Sequence, residues 1–189
     1  VYGVYEPQLL GTAGTLRKNV GFFEDRPILL AHADNWCQCN FMEFIKFHRN
    51  RPVGTSITMM TFRTPTPTTC GIVEVDTDGV VRRIYEKVSD PPGNLANGAV
   101  YLLEPEVVRW VADRSLVSDF STEVLPDFLG RIATWENIGI HRDVGAVQSL
   151  LDAQEDPQPD CCWPDTDEWM CAYQNNPVHA QLISAISQV

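Results

Sequence analysis

Short apolar runs alternate with segments of helical period along this chain, and that alternation predicts an α/β layer structure. Residues 27–33 (PILLAHA) form a nearly continuous apolar run, the mark of a buried strand, which ends at Asp34 and Asn35. Residues 41–48 place Phe41, Phe44, Ile45 and His48 on one helical face. Residues 55–62 are rich in β-branched side chains and read as the next strand. Residues 70–76 and 80–87 flank Thr77-Asp78-Gly79, and an Asp-Gly step between two such runs predicts a hairpin. A strand over 98–103 leads to Pro105, at the start of a helix through Arg114. Ser121 and Thr122 are candidate N-caps for a helix running to Leu129 and stopped by Gly130. A strand at 134–140, an amphipathic helix at 144–154 and a last helix from Pro177 complete the pattern. The acidic, proline-rich stretch 155–164 divides a domain of residues 1–154 from a tail of residues 155–189.

Composition narrows the partners. With 189 residues and 44% hydrophobic content, the chain has material for one sizeable core. A net charge of −11 argues against sequence-independent binding to nucleic acid or an anionic membrane. No apolar run is long enough to span a bilayer and no secretory signal is visible, so a cytoplasmic location is expected. Of six cysteines, Cys37 and Cys39 are one residue apart, Cys161 and Cys162 are adjacent, and Cys70 and Cys171 stand alone. Neither a disulfide framework nor a zinc spacing emerges, and reduced thiols are expected.

Three places carry candidate chemistry. Asp34 sits where a buried strand ends, the usual location for ligands in an open α/β sheet. A lone carboxylate there suits Mg²⁺, which fills its remaining positions with phosphate oxygens and water. The plainer alternative is a capping or surface-turn aspartate. Gly11-Thr12-Ala13-Gly14 precedes a helical pattern beginning near Leu16; small residues let a base or ribose approach, and helix-terminal N–H groups welcome an anion. An ordinary glycine turn is the alternative. Glu86-Lys87 ends one strand and Asn97-Gly98 opens the next, joining an acceptor, a cation and an amide able to do both kinds of hydrogen bonding. A solvated edge pair is the alternative there.

Taken together, these segments resemble the sugar-1-phosphate nucleotidyltransferase family. The resemblance rests on Leu10-Gly11-Thr12-Ala13-Gly14-Thr15-Leu16, residues 28–35, Tyr85-Glu86-Lys87 with Asn97-Gly98, and Trp135 to Gly139, in that order. It implies a Rossmann-like nucleotide-diphospho-sugar transferase fold, a mixed and mostly parallel sheet with flanking helices. It implies that Gly11, Thr12, Ala13 and Gly14 lie against the nucleotide. Gly71, Glu86, Lys87, Asn97 and Gly98 line the sugar-phosphate pocket, and Asp34 holds catalytic Mg²⁺. The activity implied is transfer from a nucleoside triphosphate to a sugar 1-phosphate, giving NDP-sugar and pyrophosphate. The Gly-Thr-Ala-Gly segment and the Asn-Gly step look most like the mannose- or heptose-phosphate guanylyltransferase branches, so GTP is the expected donor.

Departures from the family pattern matter as well. Val88 stands where proline follows the Glu-Lys pair, and Asn137 stands where an aspartate supplies the second metal ligand. Asn137 brings a carbonyl but no charge, so weaker metal affinity is expected. Glu136, its neighbour, is expected on the opposite strand face. Family members open with a strand and a glycine-rich Gly-x-Gly-Thr-Arg loop, and residue 1 lies past that region. The chain is therefore expected to be N-terminally incomplete, weak or inactive as written, and to self-associate through unpaired edges. Two other readings stay open: a non-catalytic sugar-nucleotide-binding or regulatory relative, and a glycosyltransferase with a similar nucleotide layer. The second would want an Asp-x-Asp pair, whereas the chain has Asp34-Asn35-Trp36.

Overall fold

The computed structural model describes residues 3–157. The helix expected from Pro177 and the cysteines at 161, 162 and 171 lie outside the described residues. The chain divides after His141 into two compact units. No helix among the described residues is long and apolar enough to cross a membrane.

The first unit holds helices α1 (Thr12–Lys18), α2 (Phe41–Arg49) and α3 (Pro105–Ala112). Its strands are β1 (Ile28–Ala31), β2 (Asn35–Cys37), β3 (Ile57–Arg63), β4 (Gly71–Val75), β5 (Val81–Glu86), β6 (Leu95–Leu103) and β7 (Ile132–Glu136). The main sheet runs β5-β4-β6-β3-β7, with β1 also paired to β6. The α/β class and mixed sheet are as expected, but the balance of directions is the reverse. Among the described strands β3–β7 is parallel, whereas β1–β6, β3–β6, β4–β5 and β4–β6 are antiparallel. Apolar runs report burial and not direction, and the tight turn after Asp76 joins β4 and β5 in a way only antiparallel neighbours allow. The Asp76 carboxylate holds that turn, accepting N–H bonds from Asp78 and Val80 at 3.0 Å each and pairing with Arg82.

Alternation along the strands supplies two cores. Met59, Tyr101 and Leu103 face α1, α3 and the 120–128 turns, where Leu16, Val107, Phe120 and Leu125 are also buried. Met60, Val100 and Leu102 face the other way, onto Phe44 of α2 and Trp135. Asn40 caps α2, its side chain accepting from Met42 N at 3.1 Å and Glu43 N at 3.2 Å.

Several expected boundaries move. β6 begins at Leu95 rather than Gly98, because Leu95, Ala96 and Asn97 pair with Arg63, Phe62 and Thr61. The helix expected after Ser121 is two short turns, Phe120–Val124 and Leu125–Phe128. Asp119 caps the first, accepting from Thr122 N at 2.7 Å, while Glu123 reaches back to Asp119 N at 2.7 Å. This reciprocal pairing outcompetes Ser121 or Thr122 as cap. β7 ends at Glu136 rather than 140, because the Asn137 side chain folds the chain into a turn: Oδ1 accepts from Gly139 N at 2.9 Å and Nδ2 donates to Ile140 O at 3.1 Å.

His48 is buried against β3, with Nδ1 2.6 Å from Thr58 Oγ1 and Nε2 3.3 Å from Glu104, which also pairs with Arg51 at 2.7 Å. Burial first, then the Arg51 charge, holds its imidazole below the ordinary value of 6.5. The unfolded chain therefore takes up this proton first as pH falls, so the stabilisation is full above about 6.5 and is lost below it. The thermal midpoint is expected to fall between about pH 7 and pH 5.5, and to fall less in a His48→Gln variant, as differential scanning fluorimetry across pH would read.

From Arg142 onward, the second unit contains α4 (Val147–Glu155), expected from 144 to 154. Arg142, which precedes that helix, pairs with its C-cap Asp156 at 2.6 and 2.7 Å.

Candidate functional site

The site assembles at the carboxyl ends of β3 and β7 and around an irregularity in β6. Opposite Met59 and Thr61, β6 carries extra residues between Asn97 and Tyr101. Ala99 there has φ 51°, and its N–H donates to Asn97 Oδ1 at 3.0 Å. Asn97-Gly98 is thus a β-bulge inside a longer strand, a device that re-aims side chains. A side chain at Gly98 would crowd its neighbours: an added Cβ would lie 3.0 Å from Met60 O and 3.1 Å from the His141 ring.

Gly71, Glu86 and Asn97 are brought together. Gly71 pairs across the ladder with Glu86, and a Cβ at position 71 would sit 2.6 Å from Glu86 Oε2 and 3.9 Å from Asn97 Cβ. Asn97 Nδ2 donates to the hydroxyl of Tyr101 at 2.8 Å. That phenol is fully buried, which pushes its pKa up to about 12 and keeps it neutral. Lys87 follows in the left-handed region (φ 49°), its N–H bonded to Cys70 O at 3.2 Å, and its ammonium has no ion-pair partner among the described residues.

Asp34 lies exposed in the turn between β1 and β2, and its carboxylate takes no partner among the described residues. The turn is tied to the bulge on both sides: His32 N donates to Ala99 O at 3.2 Å, and Asn35 Nδ2 to Gly98 O at 3.1 Å. Asn137 joins the same neighbourhood through Nδ2, 3.6 Å from Cys37 Sγ on β2. It is only 4% exposed, and its amide already serves Gly139, Ile140 and Cys37. Among the described residues no three His, Cys, Asp or Glu side chains are grouped to hold a metal ion by themselves. An uncommitted carboxylate at a strand end fits Mg²⁺ shared with phosphate oxygens; Asn137 is committed to its turn.

A cleft of about 350 Å³ opens beside this group, lined by Phe62, Arg63, Glu136, Asn137, Ile138, Gly139 and His141. Glu136, expected on the opposite face, shares the cleft with Asn137 because strand alternation stops there. Arg63 grips both Glu136 oxygens, at 3.0 and 3.1 Å, and Asn94 at 3.1 Å. His141 stacks on Phe62 at 4.2 Å between ring centres. Sequence reasoning missed Phe62, Arg63 and His141, whose partners lie 30 or more residues away and leave no local pattern. Cys37 is also near His141. A hydrogen bond from Cys39, and then His141, hold the Cys37 thiol down at about 5, while Cys39 is pushed up.

Gly11 to Gly14 is built differently from its expectation. Helix α1 begins at Thr12 rather than near Leu16, so the small residues are its first turn. The N–H groups of Ala13 and Gly14 donate to Ser118 O at 2.9 and 3.3 Å, and Thr12 Oγ1 accepts from Phe120 N at 2.8 Å. The donors expected to welcome an anion are used by the protein itself. The segment still connects to the bulge, since Phe120 packs on Tyr101 at 5.1 Å and Tyr101 holds Asn97.

Residues 2–158 match the family model described as nucleotidyl transferase. The chain belongs to the nucleotidyl transferase family. As the motifs implied, its relatives are sugar-1-phosphate nucleotidyltransferases. It is 24% identical over 157 residues to a glucose-1-phosphate adenylyltransferase of Clostridium acetobutylicum, covering 77% of this chain and 41% of that protein. It is 29% identical over 151 residues to the mannose-1-phosphate guanylyltransferase catalytic subunit beta of Drosophila pseudoobscura pseudoobscura, covering 78% of this chain and 40% of that one. This nucleotidyl transferase chain therefore spans about two-fifths of the length of these curated relatives. The fold agrees with a crystal structure of a Bacillus anthracis protein assigned as a glucose-1-phosphate thymidylyltransferase and bound to sucrose (TM-score 0.69, 17% identity, 85% of this chain and 67% of that one). HddC from Yersinia pseudotuberculosis matches at TM-score 0.65 and 20% identity, over 79% and 64% of the two chains.

Proposed function

We propose that this nucleotidyl transferase chain carries the sugar-phosphate side of a site joining a nucleoside triphosphate to a sugar 1-phosphate. In the full reaction a phosphate oxygen of the sugar 1-phosphate attacks the α-phosphorus of the triphosphate. Pyrophosphate leaves, and an NDP-sugar forms. The observation that carries this reading is the convergence of Gly71, Glu86 and Asn97 about a position with no side chain, beside the unpaired Lys87. Glu86 accepts sugar hydroxyls and Lys87 neutralises the phosphate. Asp34 holds Mg²⁺, which offsets charge on both phosphorylated reactants when bound. GTP is the proposed donor and a mannose- or heptose-type phosphate the proposed acceptor, on the likeness of the Gly11–Gly14 segment and the Asn-Gly step.

A second reading, a non-catalytic sugar-nucleotide binder, is favoured by one observation: Asn137 brings no charge and its amide is already committed to its turn. Calorimetric titration with mannose 1-phosphate, GTP and GDP-mannose, with and without Mg²⁺, tests binding, and a pyrophosphate-release assay separates the two readings. In a Glu86→Gln variant, binding of the sugar 1-phosphate is expected to weaken about tenfold, because a charged acceptor becomes a neutral one and one acceptor oxygen becomes a donor. Equal affinity in wild type and variant would remove Glu86 from the pocket.

A further inference from the structure

Cys37 and Cys39 are not used by the transfer reading, yet the fold places them as a pair. β2 ends at Cys37, and in extended chain residues two apart point to the same side. Both side chains pack against the cluster of Phe44, Met60, Val100 and Leu102, with the Cys37 sulfur 3.5 Å from the sulfur of Met60. Both are free thiols and partly buried. The peptide between them is clamped from the other side. Gln38 N donates to Ile140 O at 2.9 Å, and Gln38 O lies so close to Gly139 that a Cβ there would be 2.3 Å away. Residues 139 and 140 are the ones held by the Asn137 amide, in the turn that lines the cleft.

We propose that Cys37 and Cys39 form a reversible thiol–disulfide pair, closed by small-molecule disulfides, whose closure disturbs the Asn137–Ile140 turn and with it the cleft. The exchange runs in two steps. The Cys37 sulfur attacks the small disulfide, forming a mixed disulfide and releasing one thiol. The Cys39 sulfur then attacks Cys37, releasing the second. One small disulfide is reduced to two thiols, which carry away the two protons, and the protein dithiol is oxidised to one S–S bond. Geometry supplies the coupling. In extended chain the Cβ atoms of residues two apart are separated by about 6.6 Å, whereas a disulfide brings them to about 3.5–4.5 Å. Closure must therefore bend the chain at Gln38, and Gln38 is held against Gly139 and Ile140 on both its N–H and its carbonyl.

The test treats the whole chain with oxidised glutathione and maps linkages by mass spectrometry after digestion. The expected product is a 37–39 linkage, two hydrogens lighter and reversed by dithiothreitol. Cys39→Ser should instead trap a glutathione adduct on Cys37. Hydrogen exchange at residues 138–141 should quicken several-fold in the oxidised protein and recover on reduction. Both Cys37 and Cys39 remaining alkylatable, or pairing with other cysteines, would overturn the proposal. A 37–39 linkage with unchanged exchange at 138–141 would overturn the coupling to the cleft. Neither readout requires a sugar or nucleotide, so the outcome is independent of the proposed transfer reaction.

Discussion

Replacing Asp34 with asparagine is expected to weaken Mg²⁺-dependent binding of nucleotide and sugar phosphate by about 100-fold or more, while leaving the thermal midpoint unchanged. The two halves of that result come from the same geometry. Asp34 is exposed and has no partner among the described residues, so its charge does nothing for the fold. With Asn137 neutral and committed to its turn and Glu136 held by Arg63, Asp34 is the uncommitted carboxylate that the described residues offer a cation there. About 100-fold corresponds to about 2.7 kcal/mol, a modest share of what a divalent cation gains from direct contact with one carboxylate. The measurement is calorimetric titration with and without Mg²⁺, beside a melting curve. Unchanged Mg²⁺-dependent affinity in the variant would take the metal away from Asp34.

Gly11→Ala should produce a large loss of stability for a single methyl addition. Gly11 has φ +76°, where an L side chain is strained, and an added Cβ would fall 2.3 Å from the carbonyl oxygen of Ser118. The obstacle is backbone, so no rotamer relieves it. That same carbonyl accepts from Ala13 and Gly14, and Ala13 is fully buried, so retreat would uncap α1 and open the core. A cost of about 3 kcal/mol is expected, lowering the midpoint by about 6–12 °C. Gly21→Ala is the matched control: nothing lies within 4 Å of its added Cβ and its φ is ordinary, so its midpoint should hold or rise by about 1–4 °C. Equal melting of the two variants would show that the close approach to Ser118 is not what the glycine is for.

Much of the chain's organisation was legible before any coordinates. Burial writes itself into one-dimensional periodicity, so β1, α2, β3, the β4–β5 hairpin and α3 fell close to their expected places. Asp-Gly and Pro105 mark turn and helix start by local backbone chemistry, which needs no distant partner. The family motifs were legible for the same reason, since Glu86-Lys87 and Asn97-Gly98 are short runs of neighbours in sequence.

What the tertiary structure decided was everything that depends on a partner far along the chain. Ladder direction is invisible in a hydrophobic run, and the sheet is largely antiparallel where a mostly parallel one was expected. The bulge at Asn97-Gly98 exists because β6 must pair with β3 on both sides of it, and no local pattern announces that. Ser118, more than 100 residues from Gly11, takes the helix N–H groups that sequence reasoning left open for an anion. Arg63 meets Glu136 and His141 meets Phe62 only because β3 and β7 run side by side. Local free energies of backbone and burial are encoded residue by residue, whereas long-range contacts form only after loop closure has selected which segments meet.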